Sequence, residues 1–207
     1  MEVSDRELTL SKGRFESLSD GIFPVAMTLL VLEIRLPTGV DASSPVPVQI
    51  HALFAIWPQY LVYAATFANI GVMWFNHHAL LDRAHRITHR VVISNLFLLG
   101  VICFLPFTTY LLAELDLSRP AAVFYGLTNV AIGLGYAFVQ RAVFTAHGKH
   151  SEPITSWNLV GLFGYPFATV VALFSPLVSI IIIALVALFY AIPSGVKSSR
   201  LPLDDSP

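Results

Sequence analysis

Charge is scarce in this 207-residue chain: Asp, Glu, Lys and Arg together make up 12% of it, against 56% hydrophobic residues. With a mean hydropathy of +0.71, it carries more apolar surface than a water-soluble fold of this size can bury, so a bilayer is its expected solvent. Nor does one sign of charge dominate, since the formal net charge is -1. Such a balance offers no basic field for nucleic acid and no acidic field for a basic partner. Cysteine is nearly absent. Cys103 stands alone in an apolar run, which excludes an internal disulfide, and no Cys/His spacing resembles a zinc site; neither redox chemistry nor a metal or cofactor is expected. The first twelve residues carry Glu2, Asp5 and Glu7 and no apolar run, which speaks against a cleaved signal peptide and for an uncleaved first anchor.

What the chain has in abundance is apolar stretches of spanning length, about 20 residues for a hydrocarbon core of roughly 30 Å. They fall near 14–36, 51–76, 90–113, 121–145, 157–175 and 177–194. The last two are almost continuous, and Ser175-Pro176 separates them, because proline removes a backbone donor and a single run of that length would need extreme tilt. The expectation is one all-α integral membrane domain, 1–207, with six transmembrane helices. Basic residues test the count, since Lys and Arg gather in short cytoplasmic loops. Arg6, Lys12, Arg14, Arg83, Arg86, Arg90, Arg141, Lys149, Lys197 and Arg200 all fall on one side of a six-helix arrangement, and only Arg35 and Arg119 on the other. Both termini are therefore expected in the cytoplasm, in a multi-pass protein of the cell membrane. Trp57 and Trp74, about 25 Å apart on a helix, would mark the two interfaces of the second span.

The first span is unusual. Between Asp20 and Glu33 the chain has too few uncharged residues to cross a bilayer, so the helix carries charge into it. An intramembrane ionisable group is costly and marks a functional site by default, the bland alternative being a helix-end charge at the interface. The matching end of the second span reads Trp74-Phe75-Asn76-His77-His78. Arg14, Ser19 and Asp20 are thus expected to meet Trp74, Asn76 and His77 in a buried hydrogen-bonded cluster that fastens the two helices, with the histidine able to make it pH-sensitive. Further along, Val25, Leu29 and Leu32 follow i, i+4, i+7 and form an apolar stripe beside Ile22 and Thr28. Such a stripe faces either lipid or a protein interior, and composition does not separate the two.

The string from Arg14 to Phe23, Arg-Phe-Glu-Ser-Leu-Ser-Asp-Gly-Ile-Phe, followed by Thr28-Leu29-Leu30-Val31-Leu32-Glu33-Ile34, resembles the first helix of the lysosomal potassium channel family called transmembrane protein 175, whose hallmark is Arg-x-x-x-Phe-Ser-Asp. Leu18 replaces the hallmark Phe, and Pro24 stands where a small helix former is usual, which should free the Asp20 carbonyl and bend the helix. The resemblance implies a potassium-permeable cation channel, not an enzyme, in which the first helices of all subunits line the pore. No Thr-Val-Gly-Tyr-Gly filter is present. Animal members resemble two fused six-helix repeats; one repeat here implies a homotetramer. On the family pattern, Val25 is the constriction, with Leu29 and Leu32 further out, and Thr28 carries the hydroxyl linked to selectivity. Rings of aliphatic side chains can gate by dewetting, and a hydroxyl ring can replace part of an ion's hydration shell. Glu33 and Asp41 would enrich cations at the outer mouth unless they simply face solvent.

Two rival classes compete. His85 and His89 are spaced i, i+4 near His77 and His78, a spacing that can grip a metal, yet no carboxylate or Cys stands at a matching offset and Arg83, Arg86 and Arg90 would repel a divalent ion. A secondary transporter or proton-coupled carrier of a small ion would require inverted repeats or helices broken near midplane, for which Pro58, Pro106 and Pro166 are the candidate breaks.

Overall fold

The computed structural model describes residues 11–84, 86–146 and 156–191, the last range with side chains from Leu159 onward. The expected contributions of Arg6, His85, Lys149, Lys197 and Arg200, and the end of the last span beyond 191, lie outside those residues. Within them the chain is helical: α1 (Lys12–Leu29) runs on as a 3-10 turn over Leu30–Glu33, followed by α2 (Val46–Ala55), α3 (Trp57–Asp82), α4 (His89–Glu114), α5 (Arg119–Ala146), α6 (Ser156–Ala172) and α7 (Pro176–Ala191). Three segments, Lys12–Glu33, His89–Glu114 and Arg119–Ala146, are long and apolar enough to cross a membrane by length and composition, and α2, α6 and α7 are shorter apolar helices.

The span expected at 51–76 starts too early. A separate short helix ends at Ala55, and the long one begins at Trp57 with Pro58 in its first turn. Pro58 has no N–H to donate to the Phe54 carbonyl, so α2 cannot continue through it, whereas proline in a first turn breaks no bond. Ser175-Pro176 acts in the same way: the Ser175 hydroxyl accepts from the Val178 N–H at 3.5 Å, and Pro176 opens α7. Pro24, Pro106 and Pro166 instead lie inside continuous helices, so of the candidate breaks only Pro58 coincides with one. The start of α4 is capped by Thr88, whose hydroxyl accepts from the Val91 N–H.

Helix α4 packs along α5, α5 along α6, and α6 along α7, which returns to α3; α1 lies in the groove between α3 and α4. Close approach is made possible by glycine: a Cβ on Gly135 would come 3.2 Å from the Leu98 Cα, and one on Gly126 would come 2.6 Å from the Thr169 hydroxyl. The bundle is also stitched by buried polar pairs. Asn69 on α3 donates to Asn129 on α5 at 2.6 Å, Tyr165 on α6 donates to Asn69 at 3.1 Å, and Thr66 and the Tyr125 hydroxyl are 2.9 Å apart. In a lipid solvent such groups find no water, so they pair with one another across helices and fix the register of α3, α5 and α6. Apolar side chains, among them Phe54, Phe163, Phe167 and Phe174, cover the outside instead.

Candidate functional site

The site is built on α1, whose side chains divide into two faces. Phe15, Ser19, Phe23 and Ala26, continued by Leu30, recur at helical spacing and are buried against the chain's own bundle. Opposite them, Val25 is 56% exposed, Leu29 41% and Leu32 65%, and Leu18 and Thr28 are exposed on the same side. The stripe singled out in the sequence is thus the face that the rest of the chain leaves open. Thr28 donates its hydroxyl hydrogen to the Val25 carbonyl at 2.9 Å. That bond uses the proton and leaves the oxygen lone pairs for another group.

The buried face of α1 is fastened by a short relay. Asn95 of α4, with no exposed surface, donates from Nδ2 to the Ser19 hydroxyl at 3.0 Å, and its Oδ1 lies 2.7 Å from Nε2 of His77 on α3. An amide oxygen only accepts, so His77 presents an Nε2–H to it. Phe23, fully buried, lays its ring 5.3 Å from the His77 ring, centroid to centroid. One α4 side chain therefore satisfies a hydroxyl on α1 and an imidazole on α3 simultaneously. Beside the relay, Trp74 donates its indole N–H to Asp20 at 3.1 Å. Lower down, Lys12 of α1 donates to the Asp82 carbonyl at the end of α3 at 3.1 Å and pairs with Glu16 at 3.5 Å.

Of the cluster expected from the sequence, Ser19 and His77 meet through Asn95, and Asp20 meets Trp74. Arg14 and Asn76 do not take part. Arg14 is exposed, and the hydrogen bond it makes at the start of α1 is from its backbone N–H to the Ser11 carbonyl at 3.1 Å, not from its guanidinium to the cluster. Asn76 is turned about 100° around α3 from His77 and donates to the Val72 carbonyl at 3.0 Å and to the Tyr190 carbonyl of α7 at 3.1 Å, so it joins α3 to α7 instead of α1. Asp20 itself is exposed, because it lies one residue past the buried Ser19 and so points along the flank of α1. Asn95 was the missed member. Its signal was present: a lone carboxamide inside the apolar run from Val91 to Leu105 must have a partner in lipid.

At the opposite end of α1, the 37–45 loop is shaped by Asp41, which accepts from the Ser43 hydroxyl at 2.6 Å, the Ser43 N–H at 2.8 Å and the Ser44 hydroxyl at 3.4 Å. These bonds, the Ser43 hydroxyl foremost, hold its carboxyl below the usual carboxylate value. Among the described residues no group of three metal-ligating side chains converges, and His85 lies outside them.

Helices apolar on the outside, polar groups hydrogen-bonded on the inside and a first helix tethered along one face and open along the other define a helical membrane protein. The profile of the family described as "Endosomal/lysosomal potassium channel TMEM175" matches residues 14–106. A protein named as a potassium channel from Streptomyces collinus is 34% identical over 205 residues, covering 92% of this chain and 98% of that protein. Another, named as a potassium channel from Chamaesiphon minutus, is 38% identical over 137 residues, 65% of this chain and 66% of that one. The crystal structure of a lysosomal potassium-selective channel TMEM175 homolog from Chamaesiphon minutus matches with a TM-score of 0.73 at 32% identity, over 87% of this chain and 96% of that one. The chain belongs to the TMEM175 family, a family of ion channels and not of enzymes.

Proposed function

We propose that this chain is a potassium-permeable cation channel of the cell membrane, conducting passively through a central pore that four copies of α1 line. Helices α1, α3, α4, α5, α6 and α7 are its six spans, with both termini cytoplasmic and α2 a short outer helix. The observation that carries this reading is the division of α1. Its inner face is consumed by packing and by the Asn95 relay, while Val25, Thr28, Leu29 and Leu32 remain open. Four such faces around an axis form a ring of Val25 isopropyl groups that resists wetting, with wider aliphatic rings at Leu29 and Leu32. The Thr28 ring differs in kind. Its protons are held by the Val25 carbonyls, so its oxygens face the axis as lone pairs, the polarity a cation needs in exchange for water.

The Asn95 relay has a role in the same account. Four pore helices touching chiefly through aliphatic side chains have little directional force to fix their rotation, and a buried hydrogen bond from Ser19 to the surrounding bundle supplies it. Relatives named as potassium channels support potassium as the conducted ion. Purified protein in a planar bilayer under opposing potassium and sodium gradients tests the function: unitary current steps with a reversal potential toward the potassium equilibrium potential are expected. Flux that saturates and requires a counter-ion, without unitary steps, would make it a carrier.

A further inference from the structure

Away from α1, helices α4 and α5 run antiparallel through the 115–118 turn. Contact sets their register: a Cβ on Gly135 would come 3.3 Å from the Leu98 Cβ, and the Phe97 and Phe138 rings lie 6.2 Å apart, centroid to centroid. Both rings are about half exposed, at 47% and 51%. In a bundle whose outer surface meets lipid, the two helices thus form a shallow apolar seam open to acyl chains.

The seam ends in arginine on both helices. On α4, Arg90 precedes Phe97 by two helical turns and so shares its face, with the exposed Ile93 between them. On α5, Arg141 follows the exposed Leu134 by the same interval, with Phe138 between them. Because the helices run in opposite directions, the start of α4 and the end of α5 lie at one boundary of the bundle. Measured from the level of the paired rings, Arg90 is roughly 10 Å along α4 and Arg141 roughly 5 Å along α5. Both arginines are exposed. Neither helix supplies a carboxylate there, since α5 contains no Asp or Glu and the only one in α4 is Glu114 at the other end. Arginines at a helix end are ordinary in membrane proteins. This pair differs in standing at the foot of two adjacent apolar stripes, so a molecule with hydrocarbon tails and a phosphate head is matched along its length. Guanidinium groups suit that head, because their fork of donors fits phosphate oxygens.

We infer that the α4–α5 seam binds one anionic phospholipid, its phosphate held between Arg90 and Arg141 and its acyl chains lying along Ile93, Phe97, Leu134 and Phe138. The site is independent of which ion the protein conducts. Native mass spectrometry of the full chain in detergent, titrated with phosphatidylglycerol or with phosphatidylcholine, tests it. The first lipid carries a net negative charge, whereas the ammonium of the second cancels its phosphate. At the strength usual for a basic side chain at an anionic surface, each arginine contributes about a fivefold preference, so phosphatidylglycerol should bind about 30-fold tighter than phosphatidylcholine. That ratio should fall to about fivefold in Arg90→Gln and in Arg141→Gln, and either variant suffices if the other does not fold. Arg119→Gln, an exposed arginine at the start of α5 and so at the opposite boundary, should leave the ratio at the parent value. Equal affinity of the parent for the two lipids, no bound lipid at all, or an equal fall in Arg119→Gln would overturn the inference. Displacement of phosphatidylglycerol by millimolar inorganic phosphate would assign the arginines to a soluble anion and overturn it too.

Discussion

Replacing Asn95 with Leu removes the centre of the relay while keeping most of the volume. In the parent, Asn95 satisfies two groups that are each 1% exposed, the Ser19 hydroxyl and the His77 ring nitrogen, at 3.0 and 2.7 Å. Leucine leaves both buried without partners. In water-soluble proteins each stranded group costs about 1–3 kcal/mol, which for two gives about 2–6 kcal/mol. In membranes, polar pairs average nearer ~0.6 kcal/mol because the unfolded state finds other partners, so the expected loss is toward the lower end, about 2–3 kcal/mol. At roughly 2–4 °C per kcal/mol for a chain of this length, thermal unfolding in detergent should shift down by about 4–12 °C. A double-mutant cycle with Ser19→Ala isolates the pair: if Asn95 and Ser19 act together, the double variant is less destabilised than the sum of the two single changes. Asn95→Leu unfolding within 1 °C of the parent, or strict additivity in the cycle, would refute the relay.

Single cysteines at Ser11 and Ser43, both exposed and with Cys103 replaced, should react with an impermeant reagent from opposite sides of the membrane; reaction of both from one side is inconsistent with an odd number of spans between them. Val25→Ala should raise the leak current by opening the narrowest ring, whereas Thr28→Ala should keep the current and bring potassium and sodium reversal potentials together; a lipid-facing stripe leaves both quantities at parent values. Asp41 has a depressed carboxyl in the folded loop, so its contribution to loop order is fully present above the unfolded value near 3.8 and is lost as pH falls through its lower folded value. Ser43→Ala should move that loss to higher pH, read as the midpoint of the Asp41 side-chain carbon shift in a labelled sample, and an unmoved midpoint would deny the Ser43 hydroxyl its role.

Much of this arrangement was legible from residue types alone. Scarcity of charge pointed to a bilayer, and Ser175-Pro176 separated α6 from α7 because proline cannot donate. Pro58 carried equal information, yet the apolar run from Ala52 to Trp57 leads straight into it and the short α2 merged with the next helix. Around α1, Val25, Leu29 and Leu32 stood out by spacing, but which face was packed was not readable while every face was apolar; only the burial of Phe15, Ser19, Phe23 and Ala26 distinguishes them. Matching polar residues by depth found the Asp20–Trp74 and Ser19–His77 neighbourhoods. It failed for Asn76, since depth carries no rotation, and His77 and Asn76 look toward different helices. Asn95 is not legible from that pairing because it stands on α4, and depth along α1 and α3 says nothing of which third helix packs against both.

The central claim is that the open stripe of α1 faces an aqueous pore and not lipid. A cysteine at Val25, in a background with Cys103 replaced, recorded in a planar bilayer while a small water-soluble cationic thiol reagent is added, tests it most directly. A cysteine at Phe167, 61% exposed on α6, serves as the lipid-facing control. The expected result is irreversible loss of most of the potassium current at the Val25 position and none at the Phe167 position. A Val25→Cys protein that conducts potassium and keeps its full current throughout exposure to the reagent would put α1 outside the pore.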